Sequence, residues 1–172
     1  FDHIAILKGD GHANFPVQEQ FETDTLPKGV AMGDFNKDGR LDLATIQEWG
    51  YNIKVNLGDG LGGFTFAQEL NGDGEPTRLY TADLNNDGNL DLIGNAPQEG
   101  NVLIYFGNGK GGFAAAALEI EDHPNCQAIS IGDFNGDGNL DLAIAYYIDN
   151  TATGSYTDIL LGDGAGNFAS FN

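Results

Sequence analysis

The sequence predicts an all-β fold built from repeated four-stranded antiparallel units. An acidic eleven-residue motif occurs three times at nearly constant spacing, and a glycine-rich motif recurs four times out of phase with it. No segment carries the sustained 3.6-residue apolar period of an amphipathic helix. The alanine-rich segment 114–120 is too short to change that conclusion. Long repeats without helical periodicity therefore predict a β-sheet repeat protein.

The acidic motif reads GDFNKDGRLDL at residues 33–43, ADLNNDGNLDL at 82–92 and GDFNGDGNLDL at 132–142. The first aspartates of the three copies are 49 and 50 residues apart. Each copy ends in a Leu-Asp-Leu segment that suits the start of a half-buried strand. The motif therefore marks the same structural position in three consecutive units.

The glycine-rich motif occupies residues 7–15, 56–64, 105–113 and 160–168. Its closing phenylalanines are 49, 49 and 55 residues apart, so the last unit contains about five inserted residues. Glycine, aspartate and asparagine tolerate the positive φ angles of tight hairpin turns. We expect each copy to connect two antiparallel strands.

Each complete unit shows four short apolar or alternating segments bounded by glycine, asparagine and aspartate. In the first unit these segments are residues 29–35, 41–47, 52–58 and 63–70. Four antiparallel strands in a repeat of about 40–50 residues are typical of a β-propeller blade. The sequence thus predicts one β-propeller segment, with a half blade at 1–28 and complete blades at 29–75, 76–125 and 126–172.

The half blade at residues 1–28 matches only the third and fourth strands of a unit. Propellers close with four or more blades, and an unpaired strand edge invites pairing with another chain. We therefore expect further blades from the same polypeptide or from neighbouring copies to complete the segment. On this expectation the 172-residue segment is not a stable monomer by itself.

The three acidic motifs align as Asp-x-Asn-x-Asp-Gly-x-x-Asp, a pattern of alternating oxygen donors with a glycine for a sharp turn. The candidate metal ligands are Asp34, Asn36, Asp38 and Asp42; Asp83, Asn85, Asp87 and Asp91; and Asp133, Asn135, Asp137 and Asp141. Position seven adds the backbone carbonyls of Arg40, Asn89 and Asn139. Hard cations such as calcium prefer oxygen ligands, and crowded carboxylates repel one another without a cation. The sequence predicts about three calcium ions per chain rather than three solvated acidic turns.

The loops differ from EF-hands, although the first half of the motif is similar. An EF-hand needs a bidentate glutamate at position twelve and a helix on each side. Position twelve is occupied by Thr45, Gly94 and Ile144, which cannot act in that way. The final acid comes at position nine, inside a predicted strand. We therefore expect a strand–loop–strand calcium site.

The acidic loop and the downstream Gly-x-Gly-Gly-Phe hairpin together resemble the FG-GAP and VCBS-type repeat family, whose members form integrin-α-like β-propellers. The resemblance covers essentially the whole chain. It implies calcium in the loop between the first and second strand of each blade and an extracellular or cell-surface setting. Position three is asparagine in all three copies, where many relatives have aspartate, so each loop here carries less negative charge.

The composition restricts the partners that the chain can bind. Its 26 acidic and 7 basic residues give a formal charge of −19, which argues against nucleic acid and anionic membrane surfaces. Three bound calcium ions would reduce that charge to a formal −13. The 41% of apolar residues indicate a folded chain. No segment is long and apolar enough for membrane insertion, and Cys126, the only cysteine, excludes a disulfide framework.

Catalytic residues are not evident in the sequence. The three histidines, His3, His12 and His123, lie in different units, far in sequence from any nucleophile-like arrangement, and each is expected to be an exposed loop residue. No glycine-rich phosphate loop precedes a helix. We therefore expect a protein that is not an enzyme.

Ligand binding is expected on the face opposite the acidic loops, because alternate strand connections lie at opposite ends of a blade. This face should carry Trp49 and Tyr51 and the expanded segment with Tyr146, Tyr147 and Tyr156. Aromatic rings beside polar groups suit sugars, whereas Tyr146 and Tyr147 could instead pack between blades.

Three functions remain open on the sequence. The first is a calcium-stabilised extracellular binding module, adhesive or lectin-like, for a glycan or a cell-surface protein. The second is a structural subunit of a self-assembling ring or fibre. The third is the non-catalytic propeller of a polysaccharide-active enzyme.

Overall fold

The computed structural model describes residues 2–23, 26–48, 52–72, 75–98, 100–114, 118–120, 123–148 and 154–171. These residues form fourteen β-strands and no helix. The strands are arranged in one two-stranded and three four-stranded sheets, in which every paired neighbour is antiparallel. This architecture confirms the predicted all-β fold of four-stranded blades and a half blade. Among the described residues, no helix is long and apolar enough to cross a membrane.

The first two sheets follow the predicted repeat closely. The half blade consists of β1 (Asp2–Lys8) and β2 (Val17–Thr23), and the first blade of β3 (Pro27–Gly33), β4 (Asp42–Gln47), β5 (Ile53–Gly58) and β6 (Phe64–Leu70). Strand β3 begins two residues before the boundary that the sequence suggested at residue 29.

The remaining two sheets repeat the same order. The second blade consists of β7 (Arg78–Ala82), β8 (Asp91–Ala96), β9 (Asn101–Tyr105) and β10 (Leu118–Ile120). The third blade consists of β11 (Ala128–Gly132), β12 (Asp141–Tyr147), β13 (Ser155–Gly162) and β14 (Phe168–Ser170). In each blade the strands are hydrogen-bonded in chain order, so every connection within a blade joins adjacent antiparallel strands.

Consecutive blades pack face to face through their central strands. One core cluster joins the first and second blades and contains Ile46, Val55 and Leu92. A second cluster joins the second and third blades and contains Ile93 and Ile144. Leu92 and Ile93 are adjacent in β8, and successive strand residues point to opposite faces. Strand β8 is therefore buried on both faces, which explains its nearly continuous apolar sequence.

The half blade contacts the first blade through an aromatic pair and a lysine side chain. The Phe21 ring packs edge-on against Phe64, with the ring centroids 5.3 Å apart. Lys8 Nζ donates to the Leu61 carbonyl at 2.6 Å and pairs with Glu19 at 2.8 Å. This junction thus combines an aromatic pair with a lysine hydrogen bond, whereas the other two junctions contain a buried apolar core.

Candidate metal centres

The three acidic motifs form the connections between the first and second strands of the three blades, at residues 34–41, 83–90 and 133–140. Each connection requires positive φ at positions four and six of the motif. In the first loop these are Lys37 at 59° and Gly39 at 83°. Glycine adopts this region without steric cost, which accounts for the glycine at position six in every copy.

Within each loop, the side chains at positions one, three and five accept backbone hydrogen bonds. In the first loop Asp34 accepts from the N–H groups of Asp38 at 3.0 Å and Gly39 at 2.8 Å. Asn36 Oδ1 accepts from Asp38 N at 3.0 Å, and Asp38 Oδ1 accepts from Arg40 N at 2.9 Å.

The second and third loops repeat this arrangement. Asp83 accepts from Asp87 N at 3.1 Å and from Gly88 N at 2.8 Å. Asp133 accepts from the equivalent amides at 3.2 and 3.0 Å. The loops therefore share one hydrogen-bonded conformation despite their different sequences.

The aspartate at position nine has a second role that the sequence did not reveal. Asp42 is fully buried, and its two oxygens accept hydrogen bonds from the N–H groups of Phe35 at 2.8 Å and Gly58 at 2.9 Å. Asp91 and Asp141 make the equivalent pairs of bonds in their own blades. Each of these carboxylates ties the start of the loop to the end of the third strand. Each oxygen keeps a lone pair for a further partner.

The carboxylates of a loop are close enough to interact electrostatically. Burial raises the pKa of Asp91, and the nearby carboxylates of Asp87 and Asp83 raise it further. Mutual repulsion of this kind is relieved when a cation lies among the carboxylates.

The donor chemistry of the loops fits a hard cation. Carboxylate oxygens at positions one, five and nine and an amide oxygen at position three are the ligands that calcium prefers. Within the described part of the chain, no three His, Cys, Asp or Glu side chains are already gathered as a metal-holding group. The loop carboxylates instead face backbone N–H groups. The assignment of the side chains at positions one, three, five and nine, and of the carbonyls at position seven, as calcium ligands stays a prediction.

The predicted aromatic ligand-binding residues are brought together only in part. Tyr146 and Tyr156 stack with ring centroids 5.7 Å apart, and Tyr156 is exposed. Tyr146 also packs against the core between the second and third blades, as the packing alternative expected. The carbonyl of Tyr147 accepts a bond of 3.4 Å from Asn125 Nδ2. Trp49 and Tyr51 lie outside the described residues.

The expectation of an exposed His123 is wrong. His123 is buried, and its ring lies edge-on to Tyr146 with a centroid distance of 5.0 Å. Its Nε2 lies 3.3 Å from Asp158 Oδ2 without the geometry of a hydrogen bond, and that oxygen accepts a hydrogen bond of 3.1 Å from Tyr146 Oη. No sequence pattern indicated this group, because His123 lies in the connection between β10 and β11 and is buried by packing against Tyr146 of the third blade. His3 and His12 are exposed, with His3 in strand β1 rather than in a loop.

A family model described as the FG-GAP-like repeat matches residues 2–45 and 93–144, which together make up more than half of the chain. Each matched range spans one glycine-rich hairpin and one acidic loop. No curated protein matches the chain.

Proposed function

The chain belongs to the FG-GAP-like repeat family, and on this premise we propose that it is a calcium-stabilised β-propeller module that binds a ligand outside the cell. One observation carries the calcium part of the proposal. Three loops with the same oxygen donors adopt the same conformation, and each is tied to its blade by a buried aspartate. A single acidic turn would be ordinary, whereas three equivalent loops at three equivalent positions favour a shared ligand.

The side chains at positions one, three, five and nine of each motif would hold the ion, with the carbonyl at position seven. A bound calcium ion supplies two positive charges that offset carboxylate repulsion. The chain itself orients the donors. Backbone N–H groups fix the first aspartate, and the buried ninth aspartate links loop and third strand through Phe35 and Gly58 in the first blade. Calcium that binds only the folded chain would stabilise it by mass action.

Thermal unfolding tests the structural role of calcium. Melting curves in calcium, in magnesium and in chelator should give the highest midpoint in calcium, and calorimetry should give about three ions per chain. The test variant replaces the first aspartate of each loop by asparagine, at Asp34, Asp83 and Asp133. That variant should lose the calcium-dependent part of its stability. Identical curves in calcium and chelator would contradict the proposal.

For the ligand, we propose a glycan or a cell-surface protein bound at the end opposite the calcium loops. The support is the exposed Tyr156 ring, stacked on Tyr146 beside the carboxylate of Asp158. An aromatic face beside a hydrogen-bond acceptor suits a sugar ring. The family is typical of extracellular proteins, which supports an extracellular or cell-surface location. We propose binding without catalysis, so a role beside a polysaccharide-active enzyme would also be non-catalytic.

A glycan array tests the carbohydrate part. The wild-type chain should retain a defined set of glycans, and Tyr156→Ala should lose them. Leu61→Ala is the matched control, because Leu61 is exposed on a hairpin at the calcium end. Binding that survives Tyr156→Ala, or no binding to any glycan, would exclude this surface as a sugar site.

A self-assembling subunit remains the second candidate, and one observation favours it. The third blade exposes Phe134 and Phe171 on the face that points away from the second blade. Exposed large apolar residues that cluster on one face are typical of an interaction surface.

A further inference from the structure

The three acidic loops share their donor residues but differ in the charge at two other positions. Position four is Lys37 in the first loop, Asn86 in the second and Gly136 in the third. Position seven is Arg40 in the first loop and asparagine in both others. The two basic side chains are therefore the only charged residues at these positions, and their placement decides which loops they affect.

Arg40 places its charge within its own loop. Its Nη2 forms an ion pair of 2.5 Å with Asp38 Oδ2, and its Nε donates to the Gly58 carbonyl at 3.1 Å. Asp38 is the fifth-position donor of the first loop. The guanidinium group thus already occupies one oxygen that a metal ion would use.

Lys37 places its charge beside the loop of the next blade. Its ammonium nitrogen lies 3.6 Å from the point where a Cβ at Gly88 would stand, and its Cε lies 3.4 Å from the same point at Gly109. Gly88 is the sixth residue of the second acidic loop, and Gly109 belongs to the hairpin of the second blade. The ammonium group of Lys37 therefore lies beside the second acidic loop.

The third loop receives a neutral side chain in the equivalent position. Asn86 reaches across from the second loop and donates from Nδ2 to Asn139 Oδ1 at 3.0 Å. The position-four side chain thus crosses to the next blade in both junctions, but it carries a charge in only one of them.

We propose that the three loops bind calcium with graded affinity, the third most tightly, because Arg40 and Lys37 act as fixed counter-cations of the first and second loops. This proposal rests on the calcium function proposed above. A fixed positive charge lowers the affinity for a divalent ion, because the two charges repel and compete for the same carboxylates. The groups are exposed, so the repulsion is screened, and we expect each basic residue to lower the affinity of its loop about three- to tenfold.

Two-dimensional amide NMR during a calcium chloride titration resolves the loops separately. The glycine at position six of each loop, Gly39, Gly88 or Gly138, donates its N–H to the first aspartate of that loop, so its resonance should report occupancy there. The Gly138 resonance should reach half-saturation at the lowest calcium concentration. At about 1 M salt the differences between the loops should shrink, because the screening length falls to about 3 Å.

Two variants use residues that the chain itself places in the other loops. Lys37→Asn copies Asn86, which has a similar positive φ of 54°, and should lower the calcium midpoint of Gly88 about three- to tenfold. Arg40→Asn copies Asn89 and should lower the midpoint of Gly39 by a similar factor. Lys54→Asn is the control, because it changes net charge equally but lies in a strand, away from the acidic loops.

The outcomes separate this proposal from the calcium function. If none of the three glycine resonances moves with calcium, the calcium function itself fails. If all three move together, and neither Lys37→Asn nor Arg40→Asn changes any midpoint, calcium binding stands and the grading is wrong. A shift of all three midpoints by Lys54→Asn would assign the effect to net charge rather than to the two contacts. Amide dispersion in the same spectra shows whether each variant is folded.

Discussion

The two junctions between complete blades and the outer face of the third blade present the same repeat in two environments. The residue at position two of the acidic motif is 2% exposed at Phe35, 1% at Leu84 and 47% at Phe134. Phe35 packs edge-on against Phe113 of the second blade, with ring centroids 5.2 Å apart. Phe134 has an equivalent place in its own blade, but no further blade of the described chain lies against it.

The face of each blade that points towards the preceding blade shows a similar difference in exposure. Val30, Leu79 and Ile129 occupy equivalent positions in the first strands, since each is paired with the residue three positions after the motif's final aspartate. Val30 is 50% exposed, whereas Leu79 is 7% and Ile129 is 6% exposed. The half blade contributes only two strands to the junction at Val30.

The comparison shows that apolar character at these positions belongs to the repeat, whereas burial depends on the neighbouring blade. In a protein built of stacked units, stability is approximately a sum of terms within units and between nearest neighbours. A residue of the same type should therefore contribute much to the free energy of unfolding at the two inner junctions and little at the outer faces.

The largest expected effect compares Leu84→Ala with Phe134→Ala. Leu84 is fully buried between blades, so truncation should cost about 2–5 kcal/mol through lost burial and a cavity. Phe134 is half exposed, and its truncation should cost less than about 1 kcal/mol. Urea unfolding of both variants at one calcium concentration measures the two losses. Equal losses would show that the outer face is covered in solution.

An intermediate effect concerns the seventh residue of the glycine-rich motif. At Gly166, which has a φ of 87°, a Cβ would overlap the ring of Phe106 in the preceding blade. Gly166→Ala should therefore cost about 1–3 kcal/mol through strain and overpacking. The equivalent residue of the half blade is Ala13, which already has a φ of 63°. Ala13→Gly should be neutral or stabilise the fold by up to about 1 kcal/mol.

Urea unfolding with both variants at matched concentration measures this contrast. The glycine is required where a hairpin lies against the preceding blade, and Ala13 has no such blade in the described chain. If Gly166→Ala lowers the free energy of unfolding by no more than Ala13→Gly raises it, the Phe106 contact has no energetic consequence. The backbone conformation alone would then account for the glycine.

The blade pattern could be predicted from sequence because each strand is local and repeated. The predicted segment 41–47 corresponds to β4, and 63–70 corresponds to β6, each within one residue. Glycine-rich turns and apolar alternation repeat at one period, so a strand that is ambiguous in one repeat is assigned by comparison with the other repeats. The positions of Asp34 and Asp38 in a shared loop followed from the same repetition.

The remaining features depend on contacts between distant residues. The sequence placed Asp42 inside a strand, but it did not indicate that both carboxylate oxygens accept hydrogen bonds from the backbone N–H groups of Phe35 and Gly58. The burial of His123 arises where a connection is covered by the third blade. The reach of Lys37 into the next loop depends on the stacking of two blades. None of these contacts has a local sequence pattern.

The smallest expected effect is that of Val30→Thr, a nearly isosteric change on the face of the first blade that the half blade covers only in part. Val30 is half exposed, so the hydroxyl stays hydrated and the free energy of unfolding should change by less than about 0.5 kcal/mol. Ile129→Thr, at the equivalent buried position, should cost about 1–3 kcal/mol because a hydroxyl is desolvated there.

Urea unfolding at low and high protein concentration, with sedimentation of the same samples, measures the effects of both substitutions. If another copy covers the exposed part of this face, the effect of Val30→Thr should grow with protein concentration as the wild type associates. A concentration-independent wild-type monomer would contradict the expected completion of the segment by neighbouring copies.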